Sequence, residues 1–329
     1  MEIDIWKHHS GETLMRVDGG WSAEMEAAIR SAAFDGLIVA SEMMSFDGFG
    51  AVADKIRWLH SPDVDSWQGL EKLTNLERIT YLQNIPQPSF DLRKLPHLRL
   101  LESRSGALLA PTFLNHASLE VLNLDELNVK DMAFLCEERH LRALQLRGSP
   151  LKSLAGLERC TALSELHIAG SRALKDIAAL AHLPELEILE LAGTKNLPDI
   201  SAIFELKKLR SLIVESSVAK PVDLEWLRAM KHLECAAIWV ETAAIDWTVF
   251  AELPRLYDIA FYATNECKTG SDDEIIAVLQ SAGRRVKTFT RYPKGKFQQF
   301  RIEFVPPADL VNPMPFYWYQ NAIRYKAKF

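Results

Sequence analysis

LSELHIAGS at residues 163–171 is followed by LEILELAGT at 186–194 and LRSLIVESS at 209–217. Each reads L-x-x-L-x-L-x-x-(S/T). Leu163, Leu166, Ile168 and Ser171 recur as Leu186, Leu189, Leu191 and Thr194, then as Leu209, Leu212, Val214 and Ser217, at a spacing of 23 residues. A unit this short cannot enclose a core alone and must stack on its neighbours, so the period predicts a solenoid. Working outward, the first leucine of the phrase stands at Leu76, Leu98, Leu119, Leu141, Leu163, Leu186, Leu209, Leu233 and Leu256, with intervals of 21 to 24 residues.

In each phrase the second and third apolar residues should point inward from a short strand: Ile79/Tyr81, Leu101/Ser103, Leu122/Leu124, Leu144/Leu146, Leu166/Ile168, Leu189/Leu191, Leu212/Val214, Ala236/Ile238 and Ile259/Phe261. Nine such strands in parallel, about 4.8 Å apart, would make a curved sheet about 40 Å long. Alternation turns the residues between them outward. One outward row runs Thr80, Glu102, Asn123, Gln145, His167, Glu190, Ile213, Ala237 and Ala260. The next runs Leu82, Arg104, Asp125, Arg147, Ala169, Ala192, Glu215, Trp239 and Tyr262. Segments such as Leu174, Ile177, Leu180 and Leu183 space apolar residues for short helical turns on the opposite, convex side.

These phrases resemble the leucine-rich-repeat family, in its short, internalin-like bacterial class. The resemblance implies an α/β solenoid with a concave parallel sheet, and a ladder of Asn side chains where each strand turns away. Here the ladder positions are Asn84, Gly106, Leu127, Ser149, Ser171, Thr194, Ser217, Glu241 and Thr264, a largely hydroxyl version. Gly106, Leu127 and Glu241 mark places for local irregularity. Some members of the family carry ubiquitin-ligase domains with a Cys-x-Asp motif; none of Cys136, Cys160, Cys235 or Cys267 has Asp two residues on.

Outside the clear phrases the pattern changes. Ser22 can cap a helix from about Ala23 to Phe34, closed by Asp35-Gly36 and placed as a cap over the open end of the coil. Degenerate strand cores are expected at Leu37/Val39 and at Ile56/Trp58. Ser271 and Glu274 form a capping box for a helix ending at Gly283, and Val286–Tyr292 with Phe297–Val305 flank Pro293-Lys294-Gly295-Lys296 as a hairpin. The cluster Phe316-Tyr317-Trp318-Tyr319 should pack onto this end. The division is an N-terminal cap at 1–52, the repeat array at 53–264 and a C-terminal cap at 265–329.

With 48% hydrophobic residues the chain can bury a long core, and the net charge of -6 gives no general attraction to phosphate backbones or anionic lipid. No run approaches the roughly 20 apolar residues that span a bilayer, and residues 1–20 lack the apolar centre of a secretory signal. Four dispersed cysteines without a C-x-x-C pair fit a reducing, cytoplasmic setting, and Cys160, at a leucine position, reads as a buried hydrophobe.

Motifs of chemistry are sparse. Gly48-Phe49-Gly50-Ala51-Val52-Ala53 matches G-x-G-x-x-A, but no strand leads directly into it and no long helix follows, so it reads as a loop. The histidines lack zinc spacing, and Asp272-Asp273-Glu274 reads as a helix's acidic first turn rather than a calcium loop. Arg291-Tyr292, Lys294, Lys296-Phe297 and Phe300-Arg301 interleave basic and aromatic residues as single-strand binders do; a solvated hairpin edge is the plainer reading. An enzyme would need a pocket near His167 or the Gly48–Ala53 stretch.

The expected role is therefore non-enzymatic: a module that binds another protein, with no cofactor, metal, nucleic acid or membrane. Its contacts are expected from Glu102, Asp125, Arg147, His167, Glu190, Glu215, Trp239 and Tyr262 on the outward rows. The narrower expectation is an immunity protein that neutralises a cognate toxin; the alternative is a signalling or host-interaction scaffold.

Overall fold

The computed structural model describes residues 2–8, 11–40, 45–60, 62, 65–82, 90–104, 106, 116–135, 140–195, 197–265, 267 and 269–310. Asn84, Cys136 and the Phe316–Tyr319 cluster lie outside them. Two units divide the chain.

In the first unit a hairpin of β1 (Glu2–Lys7) and β2 (Thr13–Asp18) leads to α1 (Ala23–Ser31). Then come β3 (Gly36–Val39), β4 (Trp58–His60), β5 (Arg78–Leu82), β6 (Leu100–Ser103), β7 (Val121–Asp125) and β8 (Ala143–Arg147). Strands β2 to β8 pair in parallel, each with the next, and one inward column runs Met15, Leu37, Leu59, Ile79, Leu101, Leu122 and Leu144. All seven are buried; truncating such a side chain to alanine costs about 2–5 kcal/mol.

The second unit holds β9 (Glu165–Ala169), β10 (Ile188–Ala192), β11 (Ser211–Glu215), the two-residue β12 (Val222–Asp223), β13 (Cys235–Ala244) and β14 (Asp258–Thr264). Its inward column continues the pattern as Leu166, Leu189, Leu212, Ala236 and Ile259. Next are α2 (Asp272–Ser281), opened by the Ser271/Glu274 capping box, and the antiparallel hairpin of β15 (Val286–Lys294) and β16 (Phe297–Phe304). Strand β16 also pairs antiparallel with β14, burying Phe300, Ile302 and Phe304, so the expected hairpin is a continuation of the sheet.

Each of the nine phrases thus forms a strand. The returns between them are 3-10 turns, such as Leu157–Arg159, Ala178–His182 and Ser201–Glu205. One residue past the strand the backbone enters the left-handed region, at Glu126 (φ 59) and Gly148 (φ 67) in the first unit and at Gly170 (φ 71) and Gly193 (φ 63) in the second. Glycine adopts this without a Cβ clash. Glu126 does not, which places the irregularity expected at Leu127 one residue earlier.

Several expectations need correction. The helix stops at Ser31 rather than Phe34, because Asp35 is already tied to β2: its N–H donates to the Thr13 carbonyl at 2.8 Å, and its carboxylate accepts from the Thr13 N–H at 2.7 Å. Helix α1 connects β2 to β3 and packs beside the 3-10 segment Asp47–Lys55; the edge of the sheet is the β1–β2 hairpin. Repeat-like pairing therefore begins ahead of residue 53. In β4 the inward residue is Leu59, not Trp58, because Leu59 registers with Leu37 and Ile79. In β5 a register shift between Ile79 and Leu82 puts Leu82 opposite Ser103, so Leu82 takes an inward place, while the side chain of Tyr81 lies outside the described residues.

The hydroxyl ladder is also only partly a hydrogen-bonding device. Thr194 Oγ1 donates to the Glu215 carbonyl at 2.7 Å, and Ser216, rather than Ser217, accepts from the Leu197 N–H at 2.9 Å. Ser149 and Ser171 are buried with hydroxyls that make no hydrogen bond, and act as small space-fillers. At Glu241 a register shift in β13 inserts Trp239 and Val240, so Glu241 pairs with Tyr262.

Charges of alternating sign follow the first leucine in seven of the nine phrases, Ser164 and Tyr257 being the exceptions. Arg57 meets Glu77 at 3.4 Å and Arg99 grips Glu120 with two bonds of 2.9 Å in the first unit. In the second, Arg210 lies 3.4 Å from Glu187 and 2.8 Å from Glu234. Opposite charges on adjacent coils reinforce the register.

Candidate protein-binding surface

Parallel pairing lines the outward residues up in rows, because residues two apart in a strand share a face. In the first unit the innermost row is Trp58, Arg78, Leu100, Val121 and Ala143. The next brings Glu102, Asn123 and Gln145 side by side, and the third joins Asp125 to Arg147 through a 2.7 Å bond. The expected Glu102, Asp125 and Arg147 therefore do share one face. Burial pushes the Glu102 carboxyl above its ordinary range, against the opposing pull of Arg104 and Arg147.

A pH test follows from that shift. The folded state holds the Glu102 proton more tightly than the unfolded chain, so its contribution to stability falls as pH rises from the ordinary carboxyl value through the raised one. Glu102→Gln should unfold at higher urea than the parent at pH 7, with the difference vanishing near pH 3. Equal differences at both pH values would mean ionisation is not the cause.

Sequence reading missed Trp58, which lies outward here and anchors the edge of this face. Its Nε1 donates to Thr80 Oγ1 at 2.7 Å, His60 Nδ1 lies 2.9 Å from the same hydroxyl, and the Arg78 guanidinium sits 5.7 Å from the indole centroid. Gly36 makes room for it: a Cβ there would meet the indole at 2.5 Å. The signal was present in Ile56-x-x-Leu59, which repeats Leu76-x-x-Ile79 at a slightly short interval.

In the second unit the rows are Glu165, Ile188, Ser211, Cys235, Asp258; then His167, Glu190, Ile213, Ala237, Ala260; then Ala169, Ala192, with Glu215 opposite Trp239. His167 and Glu190 are joined at 3.0 Å between Nδ1 and Oε2. Glu215 accepts from the Gly193 N–H at 3.0 Å, which ties it to the turn as well as to the face. Trp239 and Tyr262 pack with ring centroids 4.5 Å apart, over Ala237 and Ala260 and beside Ile213. Phe297 of the terminal hairpin stacks on Tyr262 at 5.9 Å, so part of that ring is covered.

The receptor chain of a TLR13–ssRNA13 complex is similar in structure, with a TM-score of 0.52 and 14% identity over 74% of this chain. This chain spans 46% of that receptor's length. The internalin inlF of Listeria monocytogenes aligns over 79% of this chain and 87% of its own at 15% identity, TM-score 0.47. A leucine-rich-repeat protein of Leptospira interrogans aligns over 74% and 77% at 15% identity, TM-score 0.45. No family model and no curated protein matches the sequence. Parallel strands at a 21–24-residue period, alternating with 3-10 turns, decide the matter. The fold is a leucine-rich-repeat solenoid.

Within that leucine-rich-repeat frame the other motifs have structural explanations. Gly48 to Ala53 form part of a 3-10 helix rather than a loop, with Phe49 and Val52 buried. A Cβ on Gly48 would fall 2.1 Å from Trp21, so the glycine accommodates an indole instead of a phosphate. Asp272 pairs with Arg291 at 2.8 Å, and Glu274 completes the helix cap. Arg291 lies over Phe300 and Arg301 binds Asp258 at 2.7 Å, so these two basic residues of the hairpin serve the fold. Burial raises the Cys235 thiol to about 11, which leaves it neutral and a poor nucleophile. Among the described residues no group of three His, Cys, Asp or Glu could hold a metal ion, and no helix is long and apolar enough to cross a membrane.

Proposed function

We propose that the chain is a non-enzymatic binding module whose outward strand faces engage another protein. The observation that carries this reading is the pairing of Trp239 with Tyr262 on the outward face of the second unit, beside a row holding Glu190. Aromatic anchors next to charged groups dominate binding energy at protein interfaces. A sheet held by its own ladder loses little conformational entropy on docking. In the first unit Glu102, Asp125 and Arg147 supply a separate charged patch suited to orientation and specificity.

The narrower form of the proposal is an immunity-type protein that neutralises a toxin, motivated by the acidic charge of -6. Affinity capture with the parent chain, repeated with Trp239→Ala and with Arg147→Glu, tests the general reading. The variants should lose the captured protein, with Trp239→Ala costing about 2 kcal/mol or more, roughly 30-fold in Kd. Undiminished capture by both would remove these faces as the interface. Co-expression with the captured protein, scored for rescue of growth, tests the toxin version.

A further inference from the structure

The first unit ends in a strand whose outer side pairs with no other strand among the described residues. Strand β1 pairs with β2 alone, in an unbroken register from Glu2 opposite Asp18 to Lys7 opposite Thr13. Its Asp4, Ile5, Trp6 and Lys7 are all exposed. Ile5 stands beside the buried Met15 of the inward column, yet it is 52% exposed, and the neighbouring Trp6 is 39% exposed. Prolines and bulges blunt an edge against further pairing. The edge strand of the second unit, β15, has both, in Pro293 and a register shift between Val286 and Thr288. Strand β1 has neither.

The backbone of β1 sets which strand can join it. Asp35 and Ala40 donate to the carbonyls of Thr13 and Val17, so odd-numbered residues of β2 face β3 and even-numbered ones face β1. Glu2, Asp4 and Trp6 lie opposite Asp18, Arg16 and Leu14 and take up those bonds. The His8 N–H, 2.7 Å from the Glu12 carbonyl, continues the set. Ile3, Ile5 and Lys7 therefore direct their N–H and C=O groups away from β2. Residues at steps of two, centred on Ile5, match themselves about a two-fold axis. Ile5 then meets Ile5 of a second copy, Ile3 meets Lys7, and each of their backbone groups finds a mate.

Charge selects the same arrangement. Glu2 and Asp4 lie in the first half of the strand and Lys7 at its end. Antiparallel copies set the acidic half of each along the lysine end of the other, whereas parallel copies would place Asp4 beside Asp4.

We infer that β1 is a dimerisation edge, joining two copies of the chain through an antiparallel β1–β1 pair centred on Ile5. The pair takes Ile5 out of water where the inward column ends uncovered. One strand is a small contact for a protein interface, so association is weak and concentration-dependent. A two-fold contact closes on itself and stops at the dimer.

Sedimentation velocity of the full chain from about 5 to about 500 µM should show monomer giving way to dimer. Ile5→Pro removes an edge-directed N–H without touching a bond to β2, and should weaken the dimer about ten-fold or more. Ile5→Lys and Ile5→Glu test the axis itself. Each alone sets like charges opposite one another and should be monomeric, and an equal mixture of the two should associate again. Circular dichroism matching the parent identifies the variants that fold. A parent that stays monomeric at about 500 µM, growth beyond the dimer, a dimer that survives these substitutions, or a mixture that stays monomeric would overturn the inference.

Discussion

Arg210→Ala is expected to destabilise the protein by about 2–3 kcal/mol, less than the roughly 3–5 kcal/mol of a fully buried ion pair because the Arg210 side chain is 35% exposed. Glu234 has no exposed surface, and its Oε1 accepts from Arg210 Nε at 2.8 Å. Its Oε2 makes no hydrogen bond, and the other cation near it, Arg255, stands 3.8 Å from Oε1, too far for a direct bond. With Arg210 gone, the carboxylate keeps its burial and loses its charge-assisted bond. Urea denaturation of the single variant, Glu234→Gln, and the two combined would check this. The combination should recover most of the loss, because the cost comes from the uncompensated charge. A single-variant loss below 1 kcal/mol would mean that water reaches Glu234.

Gly156→Ala should cost about 3 kcal/mol, for two reasons that add. The residue has φ +102, where an L side chain is strained by about 1–2 kcal/mol. Its Cβ would lie 2.6 Å from the Met132 carbonyl carbon and 2.7 Å from the Ala133 nitrogen. These are backbone atoms that cannot swing aside, and overpacking of this kind costs a further 1–3 kcal/mol. Gly148→Ala separates the two effects. It has φ +67, but the nearest atom to its Cβ is Glu126 Cγ at 3.6 Å, so only the strain of about 1 kcal/mol applies. Melting both variants under one condition gives the comparison; equal losses would show that the contact with Met132 relaxes freely.

The parts of the fold that were legible are those where one physical constraint repeats. Leu166, Leu189 and Leu212 sit in register because each must meet the same core, and a spacing of 23 residues records that need. Legibility failed where a feature occurs once. The β1–β2 hairpin and the β14–β16 pairing are antiparallel and have no counterpart among the phrases. Trp58 reads as inward because an indole is as apolar as the leucines around it, and only the register of Leu59 with Leu37 and Ile79 places it outside. Leu82 takes an inward place outside the expected alternation because a bulge inserts a residue without altering the period on either side.

Alternation alone puts the eight expected contact residues on outward rows, and the register shift in β13 departs from it by setting Tyr262 opposite Glu241 instead of Trp239. Alternation says nothing of what else a side chain does. His167 is tied to Glu190, Glu215 to the Gly193 amide, and Tyr262 to Phe297, and none of these bonds follows from the period. Glu234 is the plainest case. It follows a leucine as Glu187 does, yet one is half-exposed and the other fully enclosed, a difference made by the coils on either side.

Pairing of each parallel strand with the one about 22 residues away also sets the kinetic character of the chain. Sequence separation between partners stays short for a β protein, so the entropy of closing each loop is small and assembly can begin at several coils and spread by neighbour addition. Arg301 grips Asp258 across 43 residues, about twice the ordinary interval. That longer closure belongs to the terminal hairpin, whose β16 pairs antiparallel with β14 and so ends the run of parallel strands at that edge.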